Sequence, residues 1–288
     1  MSFVRGLTTL ITPLLLAGCA SAGLAIANFP VAWFDGEVIE DISYGEEPWE
    51  KLDIYIPPGK AEAGRPVIVF FYGGRWTTGS REDYAFVGSA LAAKGFVTVV
   101  PDYRKYPVVR FPAFVEDGAK AVNWVHDNIG QYNGQADKLF LAGHSAGAHI
   151  AALLVSDERY LQNEGDALSS IQGFAGLAGP YDFTPEAADL KEIFGPPSNY
   201  PQMQVTTFVD GTEPPMLLLH GDADQTVERF NLERLANMIG DQGGRVESAI
   251  YPDLDHIDHV PLRGVAGGWP ATISGRTGSR VSPRGPGG

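Results

Sequence analysis

The chain has 288 residues, a formal net charge of −14 and 44% hydrophobic residues, which is enough apolar content for one large core. The excess of acidic residues argues against a nucleic-acid partner, because binding a phosphate backbone requires clustered Lys and Arg. A single cysteine excludes an intramolecular disulfide, so the core must stabilise the domain without one.

The first 18 residues have the layout of a secretory signal peptide. Arg5 is followed by an apolar run over residues 7–16, which is short for a bilayer span. The tetrapeptide LAGC that ends at Cys19 resembles a bacterial lipobox, in which the cysteine is lipidated and becomes the mature N-terminus. Acyl chains on Cys19 would hold a soluble domain at a membrane surface. We therefore predict export in a bacterium and attachment to the periplasmic side of the cell envelope, with the outer membrane favoured.

Two other interpretations of this N-terminal segment stay open. Cys19 would be incidental in an ordinary cleaved signal, or residues 7–27 would form one uncleaved transmembrane anchor. In the favoured interpretation, residues 1–18 are the signal peptide, and residues 19–40 are the tether and the approach to the folded domain.

From about residue 40 the sequence alternates between strand and helix patterns. DISY and KLDIYIP predict an opening antiparallel pair of strands, because Leu52, Ile54 and Ile56 lie on one face at a period of two. Further strands are predicted at PVIVFFY, FVTVVPDY, KLFLAG, IQGFAGLAG, PPMLLLHG and VESAIYP. Helices are predicted over residues 82–94, from Pro112, over AGAHIAALLV and over residues 227–239. Strands separated by helices imply a mostly parallel sheet covered on both faces.

Two segments interrupt this alternation of strands and helices. Residues 181–214 contain five prolines, at positions 185, 196, 197, 201 and 214, and we interpret them as a small insertion over the C-terminal edge of the sheet. Residues 263–288 are crowded with Gly, Pro and Arg and show no periodicity, which predicts an irregular, disordered tail. The folded domain is therefore predicted to span residues 41–262.

The motif GHSAG at residues 143–147 stands between a predicted strand and an apolar helix. In that context it is typical of a nucleophile elbow, a turn so sharp that Gly is needed on both sides of the serine. The turn exposes Ser145 at a helix N-terminus, where the helix dipole favours developing negative charge. We predict that Ser145 is a nucleophile.

A serine nucleophile requires a base, and the base requires a carboxylate that orients it; on a sheet of this kind the acid and then the base follow the elbow in the chain. Asp222 and Asp224 both follow the strand MLLLH. Asp224 is favoured because it lies deeper in the loop, and Asp222 suits a turn that bonds nearby amides. His256 comes first after the last predicted strand and is the favoured base, with His259 as the alternative.

These histidines belong to the stretch DLDHIDHV, in which carboxylates surround the His-x-x-His pair. The pair lacks the i,i+4 spacing and the glutamate that a zinc protease places on a helix. We therefore predict proton transfer here and no metal.

An oxyanion hole is predicted from backbone N–H groups. Ala146, the residue after the nucleophile, supplies one donor, and Gly73 or Gly74 in YGGRW supplies another, since glycines let a backbone approach the substrate closely. A plain Gly-Gly turn is the alternative interpretation.

Four neighbouring side chains are candidates for supporting roles. Trp76 and Tyr181 are candidates to line an acyl or alcohol pocket, although both also suit ordinary core packing. Asp102 and Arg104, in PDYRKYP, are candidates for an ion pair that braces the site, with a solvated surface pair as the alternative.

With these motifs placed, the sequence over about residues 42–260 resembles the α/β-hydrolase superfamily. Within it, the chain is similar to bacterial carboxylesterases with a feruloyl-esterase-like or lipase/esterase domain. YGEEPWEKLDIYIP, VIVFFYGGRW, PDYRKYP, FPAFVEDGAKAVNWV, GHSAGAHIA, HGDADQTV and DHIDHV carry the resemblance. It implies a mixed eight-stranded sheet, hydrolysis of carboxylic esters through an acyl-enzyme, and no cofactor.

The chain departs from this family in two places. The oxyanion loop of the family often begins His-Gly-Gly, and Tyr72 stands here in place of the histidine. Relatives also end in a helix packed on the sheet after the base, which the sequence beyond Pro261 cannot form. We hypothesise that the C-terminus is truncated or frame-shifted relative to a working parent.

The leading functional hypothesis is a serine esterase acting on small or aromatic esters, without metal or cofactor. The alternatives are an arylformamidase-like hydrolase of activated amides and an inactive, membrane-tethered scaffold on the same fold. The sequence identifies neither the acyl group nor the alcohol, and it says nothing of the oligomeric state.

Overall fold

Eight strands form one sheet in the computed structural model, which describes residues 34–165 and 167–256. In chain order the strands are β1 (Glu37–Ser43), β2 (Lys51–Ile56), β3 (Arg65–Phe71), β4 (Val97–Pro101), β5 (Gly134–His144), β6 (Ile171–Leu177), β7 (Met216–Gly221) and β8 (Val246–Tyr251). Their order across the sheet is β1-β2-β4-β3-β5-β6-β7-β8. β1 pairs antiparallel with β2 and β2 with β4, and every later pair is parallel. The predicted antiparallel opening and the mostly parallel sheet are confirmed.

Helices connect the strands as the sequence predicts, with some changes of boundary. They are α1 (Ala85–Ala92), α2 (Ala113–Asn128), α3 (Ala146–Ser156), α4 (Arg159–Glu164), α5 (Ala188–Phe194), α6 (Tyr200–Met203) and α7 (Phe230–Asp241). The helix predicted over residues 82–94 is a short 3-10 turn, Glu82–Tyr84, followed by α1. Pro112 is the N-cap residue of α2, which suits a residue that cannot donate a helical hydrogen bond.

The core lies along the centre of the sheet. β4 is buried at all five positions, and the last five residues of β3 and last six of β5 are buried as well. These strands are continuous apolar runs because both faces of a parallel sheet are covered. α2 covers the sheet with one apolar stripe that includes Val115, Ala119, Val122 and Val125.

The strand order creates a crevice at the carboxyl ends of β3 and β5. From β3 the chain crosses to β4 on one side of it, and from β4 it crosses back over β3 to β5 on the other side. Since such crossovers are right-handed, α1 and α2 lie on opposite faces of the sheet. The loops that follow β3 and β5 therefore separate above the sheet, which is where ligands bind in open α/β folds.

The proline-rich segment between β6 and β7 lies beside this crevice. It contains α5 and α6, short helices that the sequence analysis did not predict. Asp189 of α5 pairs with Arg75 in the loop after β3, with Oδ2 2.8 Å from Nε. The carbonyl of Met203, at the end of α6, accepts a hydrogen bond from His149 of α3 at 2.7 Å. The segment is thus attached to the elements that follow β3 and β5.

Several predicted features lie outside the described residues. They are the signal peptide over residues 1–18, Cys19, the alternative base His259 and the tail over residues 263–288. Within the described part of the chain, none of the helices combines the length and apolarity needed to cross a bilayer.

Candidate active site

The elbow at residues 143–147 has the strained backbone that the motif predicts. Ser145 has φ 53° and ψ −122°, a conformation that costs a non-glycine residue about 1–3 kcal/mol. A Cβ at Gly147 would lie 2.1 Å from the carbonyl oxygen of Phe71. A Cβ at Gly143 would lie 2.5 Å from the backbone of Gly147. Gly147 is therefore required by the close approach of α3 to β3, and Gly143 by the tight turn from β5 into α3.

The structure brings three sequence-predicted side chains together at the mouth of the crevice. The Oγ of Ser145 lies 2.9 Å from Nε2 of His256, and Nδ1 of the same imidazole lies 2.8 Å from Oδ2 of Asp224. His256 is 111 residues from the serine and 32 from the aspartate along the chain. Its side chain is 14% exposed and that of Asp224 is 0% exposed. The arrangement is a continuous hydrogen-bonded relay from a buried carboxylate to a serine hydroxyl.

Asp224 is held in its charged form by the loop after β7. Burial acts to raise the pKa of this carboxyl, but hydrogen bonds from the Val227 amide, His256 and the Thr226 amide lower it overall. The two amides donate to Oδ1 at 3.0 and 2.8 Å, which leaves Oδ2 facing the imidazole. A carboxylate fixed in this way selects the imidazole tautomer with hydrogen on Nδ1 and a bare Nε2 toward the serine.

Asp222, the alternative carboxylate, lies in the same loop and has a different partner. Its Oδ1 accepts the backbone N–H of Asp253 at 2.7 Å. This bond joins the loop after β7 to the loop after β8, which is the turn-bonding role considered for Asp222 in the sequence.

The glycine loop after β3 faces the elbow, and bulky side chains hold it in place. The hydroxyl of Tyr103 donates to the carbonyl of Tyr72 at 2.8 Å, and the Tyr72 hydroxyl donates to Oδ1 of Asp102 at 2.6 Å. Burial raises the pKa of Tyr72 well above its usual range, so the hydroxyl remains a donor. Tyr72 therefore braces the loop through its own side chain at the position where relatives often carry histidine.

Backbone donors in this loop are not equivalent. Burial raises the pKa of Tyr84 to about 12, and a hydrogen bond from the Gly73 backbone opposes that shift. A bond that lowers a phenol pKa is donated to its oxygen, so it engages the Gly73 N–H. Within residues 34–165 and 167–256, no backbone carbonyl outside a helix or strand accepts from the N–H of Gly74 or Ala146. The N–H groups of Gly74 and Ala146 therefore stay the predicted oxyanion donors.

Arg81 is a structural residue of the site that the sequence analysis missed. Its side chain is 10% exposed, and its guanidinium pairs with four carboxylates, those of Asp41, Asp53, Glu82 and Asp102. Its backbone N–H also donates to Asp102 at 3.2 Å. Arg81 therefore fixes the carboxylate that holds Tyr72. No local signal identifies this role of the arginine, because three of its partners are 21 to 40 residues away along the chain.

The predicted pair of Asp102 with Arg104 is wrong. Asp102 bonds to Arg81 and Tyr72, whereas Arg104 forms a bidentate pair with Asp117 of α2, with Nη2 2.7 Å from Oδ1. Asp102 and Arg104 follow β4 closely in the chain, but their side chains reach different elements and therefore do not pair with each other.

Trp76 and Tyr181 are both packed as core residues, with 3% and 1% of their surfaces exposed. The Trp76 ring stacks on Phe183 at 5.7 Å and meets the edge of Phe194 at 4.8 Å between centroids. These positions favour the packing role over substrate contact. Among the residues that the structure describes, no group of three His, Cys, Asp or Glu side chains is arranged to hold a metal ion.

Comparison with known proteins identifies the family. The BD-FAE family model matches residues 52–239. Esterase LipQ of Mycobacterium tuberculosis is 30% identical over 240 residues, which are 76% of this chain and 56% of that protein. Isoprenylcysteine alpha-carbonyl methylesterase ICME of Arabidopsis thaliana is 28% identical over 286 residues, 88% of this chain and 66% of that protein. The chain spans about three fifths of the length of the curated relatives it matches.

Solved structures of esterases share the fold. Esterase 2 of Thermogutta terrifontis phosphonylated by sarin matches with a TM-score of 0.69 at 25% identity, over 83% of this chain and 92% of that one. A truncated carbohydrate esterase from gut microbiota matches with a TM-score of 0.68 at 22% identity, over 76% of this chain and 89% of that one. With its eight-stranded sheet and its matched family model, the chain belongs to the BD-FAE family, a family of α/β-hydrolase carboxylesterases.

Proposed function

We propose that this protein hydrolyses small or aromatic carboxylic esters through an acyl-enzyme formed on Ser145. The relay from Asp224 through His256 to Ser145, with heavy-atom distances of 2.8 and 2.9 Å, is the observation that carries the proposal. An inactive scaffold on the same fold has no physical need of a serine that is held at φ 53° and presented to an imidazole.

In the first half of the reaction, Ser145 Oγ attacks the carbonyl carbon of the ester as Nε2 of His256 removes its proton. The carbonyl oxygen becomes an oxyanion that accepts hydrogen bonds from the N–H groups of Ala146 and Gly74. Each such donor contributes about 3–4 kcal/mol to the transition state. Collapse breaks the bond to the alkoxide oxygen, which takes the proton from His256 and leaves as the alcohol.

In the second half, water replaces the alcohol. His256 removes a proton from the water as its oxygen attacks the acyl carbon, and the same N–H groups hold the new oxyanion. Collapse then breaks the bond to Ser145 Oγ, which regains its proton from the imidazole, and the carboxylic acid leaves. Asp224 stays ionised throughout and stabilises the imidazolium that forms in each half.

The relatives support an ester substrate. LipQ is an esterase by name, and ICME is named for a methyl ester of a prenylated cysteine. The esterase of Thermogutta terrifontis is phosphonylated by sarin, a reaction in which a nucleophile attacks phosphorus. The segment between β6 and β7 adds only short helices beside the crevice, which suits small or aromatic esters better than long lipids.

Hydrolysis of p-nitrophenyl acetate and butyrate by the purified protein tests the proposal, with Ser145→Ala as the control. We expect turnover in the wild type and a loss of at least about 10⁴-fold in the variant. Methyl ferulate, a prenylcysteine methyl ester and an N-formyl arylamine then distinguish the ester classes from activated amides. Folded wild-type protein, checked by circular dichroism, that cleaves none of these substrates would support the inactive scaffold instead.

Attachment to a membrane through Cys19 is a separate part of the proposal. It rests on the LAGC tetrapeptide at the end of an apolar segment. Palmitate label should enter the protein in a bacterial host and be absent from Cys19→Ala; label retained by that variant would contradict lipidation at this cysteine.

A further inference from the structure

His144, the second residue of the elbow motif, lies between three parts of the site. It is 5% exposed, and its Nε2 lies 2.9 Å from the backbone carbonyl oxygen of His256. Its Nδ1 lies 3.4 Å from the hydroxyl of Tyr84. A Cβ at Gly73 would lie 2.8 Å from the same Nδ1, so the glycine loop packs directly on the imidazole. One side chain next to Ser145 thus contacts the loop of the base and the loop of the oxyanion donors.

The partners of His144 determine which of its atoms donate. A carbonyl oxygen can only accept, so Nε2 carries a hydrogen and donates to His256. In the neutral ring Nδ1 is then an acceptor, and Tyr84 is the donor that faces it. The Tyr84 ring in turn stacks on Tyr72, the residue before the two glycines, at 5.7 Å between ring centroids. These contacts form a chain from the glycine loop, through Tyr84 and His144, to the main chain of the base.

Within the part of the base loop that the structure describes, residues 251–256, further backbone bonds lie on the side of the acid loop. The amide of Asp222 donates to the carbonyl of Tyr251 at 3.0 Å, and that of Ala223 donates to Leu254 at 3.2 Å. Together with the bond from Asp253 to the Asp222 carboxylate, these contacts join the base loop to the acid loop. These contacts fix the base loop relative to the acid loop, whereas the bond from His144 ties the base loop to the elbow itself.

We propose that His144 is a positioning residue, which holds the main-chain carbonyl of His256 and thereby keeps the imidazole of that residue within reach of Ser145. The inference rests on the proposed function, since it assigns His256 as the base. A displacement of the base by about 1 Å costs up to about 100-fold in rate, so a single anchor of this kind is visible in kcat.

The test compares His144→Leu with His144→Gln, which keeps an N–H donor of similar reach. We expect kcat and kcat/KM for p-nitrophenyl butyrate to fall together, by about 10- to 100-fold in His144→Leu, with KM changed little. The kcat of His144→Gln should be at least about tenfold higher than that of His144→Leu. Equal losses in the two variants, or wild-type kcat in His144→Leu, would overturn the proposal.

His149→Leu is the matched control. His149 is also a buried histidine near the nucleophile, and its Nε2 donates to a backbone carbonyl, that of Met203, at 2.7 Å. Burial lowers its pKa to about 4, so it is neutral as His144 is in the proposed chain. This variant should lose thermal stability and keep kcat within about threefold, because its partner does not belong to the base loop. A kcat loss equal to that of His144→Leu would show that the effect is general destabilisation.

Amide hydrogen exchange supplies a readout that needs no activity. Peptides covering residues 251–256 should exchange faster in His144→Leu than in the wild type and the His149→Leu control. Unchanged exchange there would overturn the anchoring role, even if the wild-type protein proved inactive on every ester. Inactive wild type with the expected exchange pattern would instead count against the proposed function alone.

Tyr84→Phe provides a milder test if His144→Leu does not fold. It keeps the ring that stacks on Tyr72 and removes only the hydroxyl that faces Nδ1 of His144. A fewfold loss of kcat with normal melting temperature is expected, and an unchanged kcat would contradict a role for Tyr84 in the chain.

Discussion

The nucleophile and the base stand on parts of the sheet that are held in different ways. Ser145 follows β5, which lies between β3 and β6 and is buried over its last six residues. His256 follows β8, an edge strand paired only with β7 among the described strands and partly exposed along its length. The position of the nucleophile is thus set by close packing, whereas that of the base depends on a few hydrogen bonds.

This difference separates stability from activity. Changes at the elbow should damage the fold, because the backbone of α3 packs on β3 with no room to move. Changes at the edge should leave the fold intact and damage catalysis, because the loops there carry the acid and the base and little of the core.

Asp224→Asn should produce the largest effect. The amide can donate to Nδ1 of His256, which leaves the hydrogen on Nε2 and removes the base that the serine needs. We expect kcat for p-nitrophenyl butyrate to fall by about 10³- to 10⁴-fold, with a circular dichroism spectrum like that of the wild type. Asp222→Asn is the control and should remain within about threefold, since its amide oxygen still accepts from Asp253. A reversed order of the two variants would reassign the acid to Asp222.

Gly147→Ala should have the next largest effect, on stability. The new Cβ would lie 2.1 Å from the carbonyl oxygen of Phe71 and 2.4 Å from that of Tyr72, and neither backbone can move without shifting the sheet. We expect the free energy of unfolding in urea to fall by about 3 kcal/mol or more. Gly130→Ala is the matched control, because its Cβ would have no heavy atom within 4 Å. It should change stability by less than about 1 kcal/mol, and equal losses would contradict close packing at the elbow.

Asp222→Ala should have the smallest effect, and it tests how the base loop is held at the edge of the sheet. It removes the acceptor for the Asp253 amide and so loosens the base loop without touching the relay. About 1 kcal/mol of stability and a threefold to tenfold loss of kcat are expected, measured by urea unfolding and ester hydrolysis. Full activity in this variant would show that the base loop is held elsewhere.

Much of the fold was predictable because its signals are local. Buried parallel strands are continuous apolar runs, and the helices between them show a period near 3.6, so their order along the chain predicts the sheet. The short helices between β6 and β7 were missed because prolines interrupt any period there. The helix predicted over residues 82–94 begins later, since a 3-10 turn at Glu82–Tyr84 precedes α1.

The sequence by itself determined the elbow, because strand, glycines, serine and helix are consecutive and the strain acts within five residues. It also narrowed the acid and the base to two candidates each, from their order after the last two strands. Only the tertiary structure places Asp224 and His256 beside the serine, and only it shows that Arg81, rather than Arg104, is the partner of Asp102. Such contacts join residues 21 to 112 positions apart, and their geometry depends on how the loops close above the sheet rather than on any local pattern.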